Sequence, residues 1–139
     1  MTPRQRVEAE CAKRGKFKVV AGCMALLAGR RADPELIVAL GGPPASWALT
    51  GDASGPDYWL RVWAARGLLW AWDRRASRLI LRALHDDAWR VREAATRVAA
   101  RHRVQDALAT LEELVDDTHP RVRAGARRAL VRIKDDRGS

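Results

Sequence analysis

The 139-residue sequence predicts an all-α protein, a short α-solenoid of stacked helical hairpins with a repeat of about 31 residues. Three observations support this fold class. The chain aligns with itself at a shift of 31 residues, apolar residues recur at helical spacing between the aligned segments, and turn-forming residues separate them. The length is sufficient for one modest domain.

The repeat is visible in three segments, residues 60–69, 91–100 and 122–131. In each segment an arginine follows the first apolar residue, and an alanine lies three positions after that arginine. An acidic turn precedes each segment, and a shorter helix-like stretch follows the first two, so the unit is helix A, turn, helix B. The sequence therefore predicts repeats at 57–86, 87–117 and 118–139, the last truncated after its helix A.

The N-terminal residues 1–41 match the repeat only loosely, and we interpret them as a helical cap or degenerate repeat. Thr2-Pro3 and Asp33-Pro34 are helix-starting pairs, because a side-chain oxygen caps the first amides and proline fits the first turn. The apolar stretch 16–30 predicts a helix between them. Residues 42–56, rich in Gly, Pro and Ser, predict a loop.

The acidic turn, the V-R-x-x-A-x-R pattern and the shorter second helix resemble the short HEAT-like repeat best known from phycobilisome lyases. The resemblance covers residues 57–134. It implies that the shared arginine is structural and pairs with turn acids of neighbouring repeats. The residues in this structural set are Arg61, Arg92, Arg123, Asp86, Asp87 and Asp117.

Four of the six tryptophans lie between residues 59 and 72. At 100° per residue, Trp59, Trp63 and Trp70 form one stripe beside the apolar arc of their helix. In the second and third copies, arginines occupy the positions of Trp59 and Trp70. The stripe is either covered by the N-terminal segment or the 42–56 loop, or exposed as an aromatic patch for stacking and phosphate contact. We favour the covered arrangement, since exposed aromatic patches promote aggregation.

Arginines that project away from the apolar arc are the main candidates for binding. Residues 60–104 contain eleven arginines against four acids, whereas residues 105–139 contain seven cations and seven acids. A focused positive charge indicates an acidic protein surface or a nucleic acid as partner, although charge complementarity between repeats would also explain it. The candidates are Arg66, Arg97 and Arg101 on helix A, the ridge Arg74, Arg78 and Arg82 on the first helix B, and Trp59 and Trp70.

Catalytic and metal-binding motifs are not recognised in the sequence. The three histidines are isolated, the two cysteines form no cluster, and no glycine-rich phosphate loop is present, so we expect no catalytic residue, metal or cofactor. Residues 70–75, WAWDRR, supply the residue types that HEAT-like alkylpurine DNA glycosylases use, but the match is one of composition. No apolar run is long enough to cross a membrane, and two cysteines indicate a reducing cytoplasm.

These features together predict a non-catalytic binding or scaffold module with an acidic protein partner, and nucleic acid as the alternative. A third helix B does not follow residue 134. Val122, Leu130 and Ile133 are therefore expected to be partly uncovered, which predicts self-association through the C-terminal edge.

Overall fold

A computed structural model describes residues 1–46 and 58–138, with side chains as far as Asp135. These residues form eight α-helices and no β-strand. The helices are α1 (Pro3–Arg14), α2 (Lys16–Leu27), α3 (Pro34–Gly41), α4 (Tyr58–Gly67), α5 (Ser77–Ala83), α6 (Trp89–Arg101), α7 (Leu108–Leu114) and α8 (Pro120–Gly138). The prediction of an all-α fold of the helical-repeat class is confirmed.

The chain divides into two compact units, residues 1–76 and residues 77–139. The first predicted repeat, 57–86, therefore has its helix A in the first unit and its helix B in the second. The predicted loop 42–56 lies mostly outside the described residues, since 47–57 are not described. Its opening residues contain a short 3-10 turn, Pro43–Ala45.

The first unit begins with helices whose starts are set by local hydrogen bonds. The Thr2 hydroxyl accepts a hydrogen bond from the Gln5 amide at 3.1 Å, and the Gln5 side chain accepts one from the Thr2 amide at 2.8 Å. The Asp33 carboxylate caps α3 by accepting from the Glu35 amide at 2.9 Å. Gly15 separates α1 from α2 with a φ of 91°, a conformation that favours glycine.

The core of the first unit forms where α2 and α3 pack against α1 and α4. Its fully buried side chains come mainly from α2, α3 and α4: Val19, Val20, Cys23, Leu26, Leu36, Leu40, Ala64 and Ala65. Gly67 at the end of α4 allows a close approach, because a Cβ atom there would lie 2.6 Å from Leu40 Cδ2. A larger residue at position 67 would have to displace the Leu40 side chain.

In the second unit α6 packs beside α8, α7 packs on α8, and α5 packs on α6. Ala95 and Ala126 are completely buried, as is Ala64 at the equivalent position of α4. The 3-10 turns Arg74–Ala76 and Gln105–Ala107 also recur 31 residues apart, each followed by a seven-residue helix. The 31-residue period of the sequence is therefore a period of the backbone.

The expectation of an uncovered apolar edge on the last helix is wrong for two of its three residues. Val122 and Ile133 are completely buried, and Leu130 is half-buried. The reason is that α8 packs against both α6 and α7, so its apolar arc faces those helices. Val131 is the large apolar residue that α8 exposes, at 61% of its surface. The burial of Val122 and Ile133 therefore removes the reason for predicting self-association through this edge.

Candidate binding surface

Two packed helices of the second unit each carry a row of three exposed arginines. Each row falls within about 40° around its helix axis at 100° per residue, and spans about 16 Å at 1.5 Å per residue. Packed helices lie about 8–10 Å apart, so the two rows form one basic face, which we call the arginine ladder. Its members are Arg90, Arg97 and Arg101 on α6, and Arg121, Arg128 and Arg132 on α8.

The ladder begins at an aromatic stack at the N-terminal ends of its helices. The Trp89 ring lies parallel to the His119 ring, with 3.7 Å between centroids and an interplanar angle of 7°. The guanidinium carbons of Arg90 and Arg121 lie 4.5 Å and 6.0 Å from the Trp89 ring centroid. These cation–π contacts restrict both arginines, so less conformational entropy is lost when they bind an anion.

His119 is held in this stack by hydrogen bonds at the start of α8. Its amide donates to the Asp117 carboxylate at 2.9 Å, and its Nδ1 accepts from the Arg121 amide at 3.1 Å. The imidazole thus caps the helix that carries the second row of the ladder. Sequence analysis missed both Trp89 and His119, although an aromatic residue at a helix start and a histidine one repeat later were visible signals.

The middle of the ladder is partly neutralised. Arg97 forms an ion pair with Glu93 one turn earlier, at 2.7 Å. The pair is exposed on the arginine side, so it contributes little stability and can exchange with a partner's carboxylate. Arg101, a second predicted binding residue, is exposed at the C-terminal end of α6.

The arginine shared by the repeats contacts the turns and is not part of the ladder. Arg92 donates to both carboxylate oxygens of Asp117, at 2.9 Å and 3.1 Å, and to the carbonyls of Asp86 and Asp87 at 2.8 Å and 3.1 Å. Arg123, one repeat later, donates to the Asp117 carbonyl at 2.8 Å. These contacts tie the turn before α6 to the turn before α8.

Asp117 lies at the centre of this arrangement. Burial alone would raise the pKa of Asp117, but hydrogen bonds from Arg92 and the His119 amide, together with the Arg92 charge, lower it below the ordinary value. Asp86 makes a similar turn contact 31 residues earlier, where its side chain accepts from the Ala88 amide at 2.9 Å. Arg61, at the position of Arg92 in α4, is half-buried.

Arg66, a predicted binding residue, makes contacts within the first unit. It is half-buried in the first unit and donates to the Leu40 carbonyl at 2.7 Å. Arg6 donates to the neighbouring Ala39 carbonyl at 3.0 Å, so both cations lie at the C-terminal end of α3, where the helix dipole is negative. Burial, followed by the charge of Arg6, lowers the pKa of Arg66. The packing of α3 against α4 therefore explains why Arg66 is half-buried.

The predicted ridge on the first helix B is interrupted at its start. Arg74 lies in the 3-10 turn Arg74–Ala76, whereas Arg78 and Arg82 lie on α5 one turn apart. The cause is local: the Asp73 carboxylate accepts from the Arg75 amide and from Arg75 Nε, both at 2.9 Å, and this turn delays the helix. All three arginines are exposed. Arg74 belongs to the first unit, and Arg78 and Arg82 belong to the second.

Trp59 and Trp63 of the predicted tryptophan stripe lie on α4, whereas Trp70 lies in the turn that follows, because α4 ends at Gly67. Trp63 is only 7% exposed, and it packs so closely on Gly41 that a Cβ atom there would lie 2.7 Å from its ring. Trp59 stacks on Trp63 with 6.2 Å between centroids, and Trp59 and Trp70 are half-buried. The N-terminal segment therefore covers Trp63, as the favoured interpretation requires. The proposed cover from the 42–56 loop, with Trp47, falls outside the described residues.

Other kinds of site are not seen in the described parts of the chain. Residues 1–46 and 58–138 contain no group of three or more His, Cys, Asp or Glu placed to hold a metal ion. Cys11 and Cys23 are free thiols, and burial raises the pKa of Cys23 to about 12. Among the described helices, none combines the length and the hydropathy needed to cross a membrane.

Helical elements that recur with a 31-residue period place the protein in the class of helical-repeat proteins. A family model for HEAT repeats matches residues 48–131, more than half of the chain. The chain therefore belongs to the HEAT-repeat family. Comparison with curated proteins and with solved structures gives no match. HEAT repeats commonly mediate protein–protein interaction, and proteins that contain them are generally not catalysts.

Proposed function

We propose that this protein is a non-catalytic, cytoplasmic binding module that holds an acidic protein partner on the arginine ladder. The observation that carries the proposal is the position of the six arginines: all are exposed, and they occupy matched positions on two packed helices. A planar guanidinium binds a carboxylate through two parallel hydrogen bonds, so a fixed array of arginines suits a surface with spaced carboxylates.

Acidic residues beside the ladder favour a protein over a nucleic acid. Glu93 lies against Arg97, and the exposed Asp87 and Asp116 lie in the turns at the N-terminal ends of α6 and α8. A continuous phosphate backbone would meet these carboxylates and be repelled, whereas a protein can place its own acids between them. The usual role of HEAT repeats in protein–protein interaction supports the same choice.

Nucleic acid is the second candidate, and the aromatic stack is the observation that favours it. An indole with two arginines against it resembles the combination of stacking and charge that single strands use. The stacked face of Trp89 is already occupied by His119 at 3.7 Å, which leaves less of the ring for a base. We therefore rank this candidate below an acidic protein.

A glycosylase activity receives no support from the geometry around residues 70–75. Asp73 is the carboxylate that such chemistry would need, and it is held by the Arg75 amide and the Arg75 side chain in a turn. Hydrogen bonds from the Arg75 amide and side chain lower the pKa of Asp73. An acceptor engaged by its own turn serves the fold, and this supports the non-catalytic aspect of the proposal.

The test compares binding of three probes: a 20-residue polyglutamate peptide, a 20-nucleotide single-stranded RNA and a duplex DNA of 20 base pairs. Fluorescence anisotropy should show that polyglutamate binds and that the triple variant Arg101/Arg128/Arg132→Ala binds at least about tenfold more weakly. The matched control is Lys18/Arg30/Arg31→Ala, which also removes three exposed cations but lies outside the ladder, and it should bind as wild type.

Two results would contradict the proposal. If the ladder variant and the control bind polyglutamate equally, the ladder is not the binding face. If RNA or DNA binds more tightly than polyglutamate, with log K falling by about 0.7 to 0.9 per phosphate neutralised in a plot against log salt concentration, the partner is a nucleic acid. A further variant, Arg66→Met, should leave binding unchanged, because Arg66 is half-buried and donates to the Leu40 carbonyl of α3.

A further inference from the structure

The contact between Arg92 and Asp117 shows how one repeat of this chain binds the turn of the next repeat. Arg92 places Nη1 on the carbonyls of its own turn, at Asp86 and Asp87, and directs Nε and Nη2 to the carboxylate of Asp117 in the following turn. The side chains of Arg92 and Asp117 are only 14% and 9% exposed. One edge of the Arg92 guanidinium thus binds the turn before α6, and the other edge binds the carboxylate of Asp117 in the turn before α8.

Arg123 has the first half of this arrangement and lacks the second. Its Nη1 donates to the Asp117 carbonyl at 2.8 Å, which matches the contact of Arg92 with the Asp86 carbonyl at 2.8 Å. Within residues 1–46 and 58–135, no carboxylate meets its Nε and Nη2 groups. The side chain is half-buried, so it is held in place with its carboxylate-binding edge open.

The surroundings of Arg123 on α8 differ from the surface of α6 on which α8 packs. On α6, Thr96 is fully buried against Gly125 of α8, where a Cβ atom at Gly125 would collide with the Thr96 hydroxyl. The equivalent position on α8 is Arg127, which is exposed, and it is followed one turn later by Val131, 61% exposed. The edge formed by Arg123, Arg127 and Val131 combines two cations with an apolar residue at its C-terminal end.

We propose that this edge of α8 is a second docking surface, which binds an aspartate-bearing turn at the start of a helix in a partner protein. The aspartate takes the place that Asp117 takes on Arg92, and a small, apolar face of the following helix packs on Val131. Charge complementarity supports an acidic occupant, since Arg123 and Arg127 would both repel a basic one.

This surface is separate from the arginine ladder. On α8, Arg123 and Arg127 lie at least about 100° around the helix axis from the row of Arg121, Arg128 and Arg132, whereas Val131 lies about 60° from Arg128. The two arginines of the edge and the ladder therefore lie on different faces of the same helix, and Val131 lies between those faces. The proposal does not depend on the ladder's being a binding face.

The probe is a 20-residue peptide with the sequence of residues 115–134 in which each arginine is replaced by glutamine. It keeps the two aspartates of the turn and the helix that follows. Replacing its five arginines removes most of the positive charge that would oppose binding to Arg127 and leaves Lys134 as its one lysine. Heteronuclear NMR of the full chain should show shifts of the Arg123 Nε–H resonance and of the Arg127 and Val131 amides on titration. A peptide with the Asp117 position changed to asparagine should bind at least about tenfold more weakly.

The asparagine change is made in the peptide, so it does not affect the folding of the protein. A protein variant, Arg123→Lys, tests the same contact from the other side. Lysine keeps the charge but cannot donate two parallel hydrogen bonds, so the preference for the aspartate peptide over the asparagine peptide should be clearly smaller than in the wild type. The ladder variant Arg101/Arg128/Arg132→Ala should bind the aspartate peptide as wild type does, and Arg123→Lys should bind polyglutamate as wild type does.

Three results would overturn the proposal. One is equal affinity of the two peptides for the wild-type chain, and another is shifts confined to the ladder residues. The third is a concentration-dependent shift of Arg123 Nε–H without peptide, accompanied by dimers in sedimentation, which would identify the occupant as a second copy of this chain.

Discussion

Replacement of Asp117 by asparagine tests the arginine–aspartate contact that joins the turns of the second unit. Asparagine retains an oxygen that can accept the His119 amide, so the start of α8 keeps its cap. What is lost is the negative charge that faces both nitrogens of Arg92 at 2.9 Å and 3.1 Å. The variant therefore isolates the ion pair from the capping interaction.

The expected cost follows from burial of the pair. Removing one partner of a buried ion pair costs about 3–5 kcal/mol, because the other charge is left uncompensated. Solvent reaches these side chains slightly, at 14% and 9% exposure, and Arg92 keeps its hydrogen bonds to the Asp86 and Asp87 carbonyls. We therefore expect Asp117→Asn to lower the free energy of unfolding by about 2–3 kcal/mol and Tm by roughly 10 °C.

The assay is urea and thermal unfolding followed by circular dichroism at neutral pH. The matched control is Asp116→Asn, which makes the same chemical change one residue earlier at an exposed position. That control should lower stability by less than about 0.5 kcal/mol. Equal losses in the two variants would refute the reasoning, since the effect would then depend on the charge of the turn and not on the contact with Arg92.

The same pair predicts how the difference depends on pH. The pKa of Asp117 is lower in the folded protein than in the unfolded chain. Its contribution is therefore complete above the unfolded-state pKa of about 4 and is lost as the pH falls through the lower folded-state pKa. Wild type and Asp117→Asn should become similar in stability at low pH. A gap that stays constant down to pH values below that folded-state pKa would contradict this assignment.

Two further changes test the packing of the second unit. Ala95→Glu places an unpaired charge at a completely buried position, at a cost of several kcal/mol against a total of about 5–15 kcal/mol, so circular dichroism should show loss of cooperative unfolding. Gly125→Ala should destabilise by about 1–3 kcal/mol in urea unfolding, because the new methyl group meets the Thr96 hydroxyl. In the Thr96→Ala background, the same Gly125→Ala change should be neutral or stabilising, since the obstacle is gone and alanine favours the helix.

These packing predictions have their own contradicting outcomes. A folded, cooperatively unfolding Ala95→Glu protein would show that the register assigned to the repeat is wrong. If Gly125→Ala has the same effect whether or not Thr96 is present, the close approach of α6 and α8 at that point is not the cause. Arg128→Ala, an exposed change on the same helix, should alter stability by less than about 0.5 kcal/mol.

Local chemistry explains the features of the fold that could be predicted. Thr2 and Asp33 start helices through hydrogen bonds that span two or three residues, and such contacts need no distant partner. The 31-residue repeat places Ala64, Ala95 and Ala126 at equivalent positions, and all three are completely buried. A period repeated three times leaves few alternative registers, which is why the family and the helical class could be predicted together.

The residues whose exposure was predicted wrongly have one physical reason in common. Periodicity shows which face of a helix is apolar, but exposure depends on how many helices cover that face. Val122 and Ile133 are buried because α8 packs on both α6 and α7, whereas the sequence predicted that the lack of a third helix B would leave them partly uncovered. Arg66 follows the ladder pattern in the sequence, yet α3 lies over it and its guanidinium donates to Leu40. In α6 and α8 the equivalent arginines, Arg97 and Arg128, remain exposed.

The sequence by itself determined the repeat length, the helix starts and the buried alanine slots, because each is encoded within one repeat. The tertiary structure decided which arginines form a surface. The ladder requires α6 and α8 to lie side by side, and the stack of Trp89 on His119 joins residues one repeat apart in the chain. Side chains far apart in sequence become neighbours only when two helices pack, and the angle and spacing of that packing are set by small residues such as Thr96 and Gly125 at the contact.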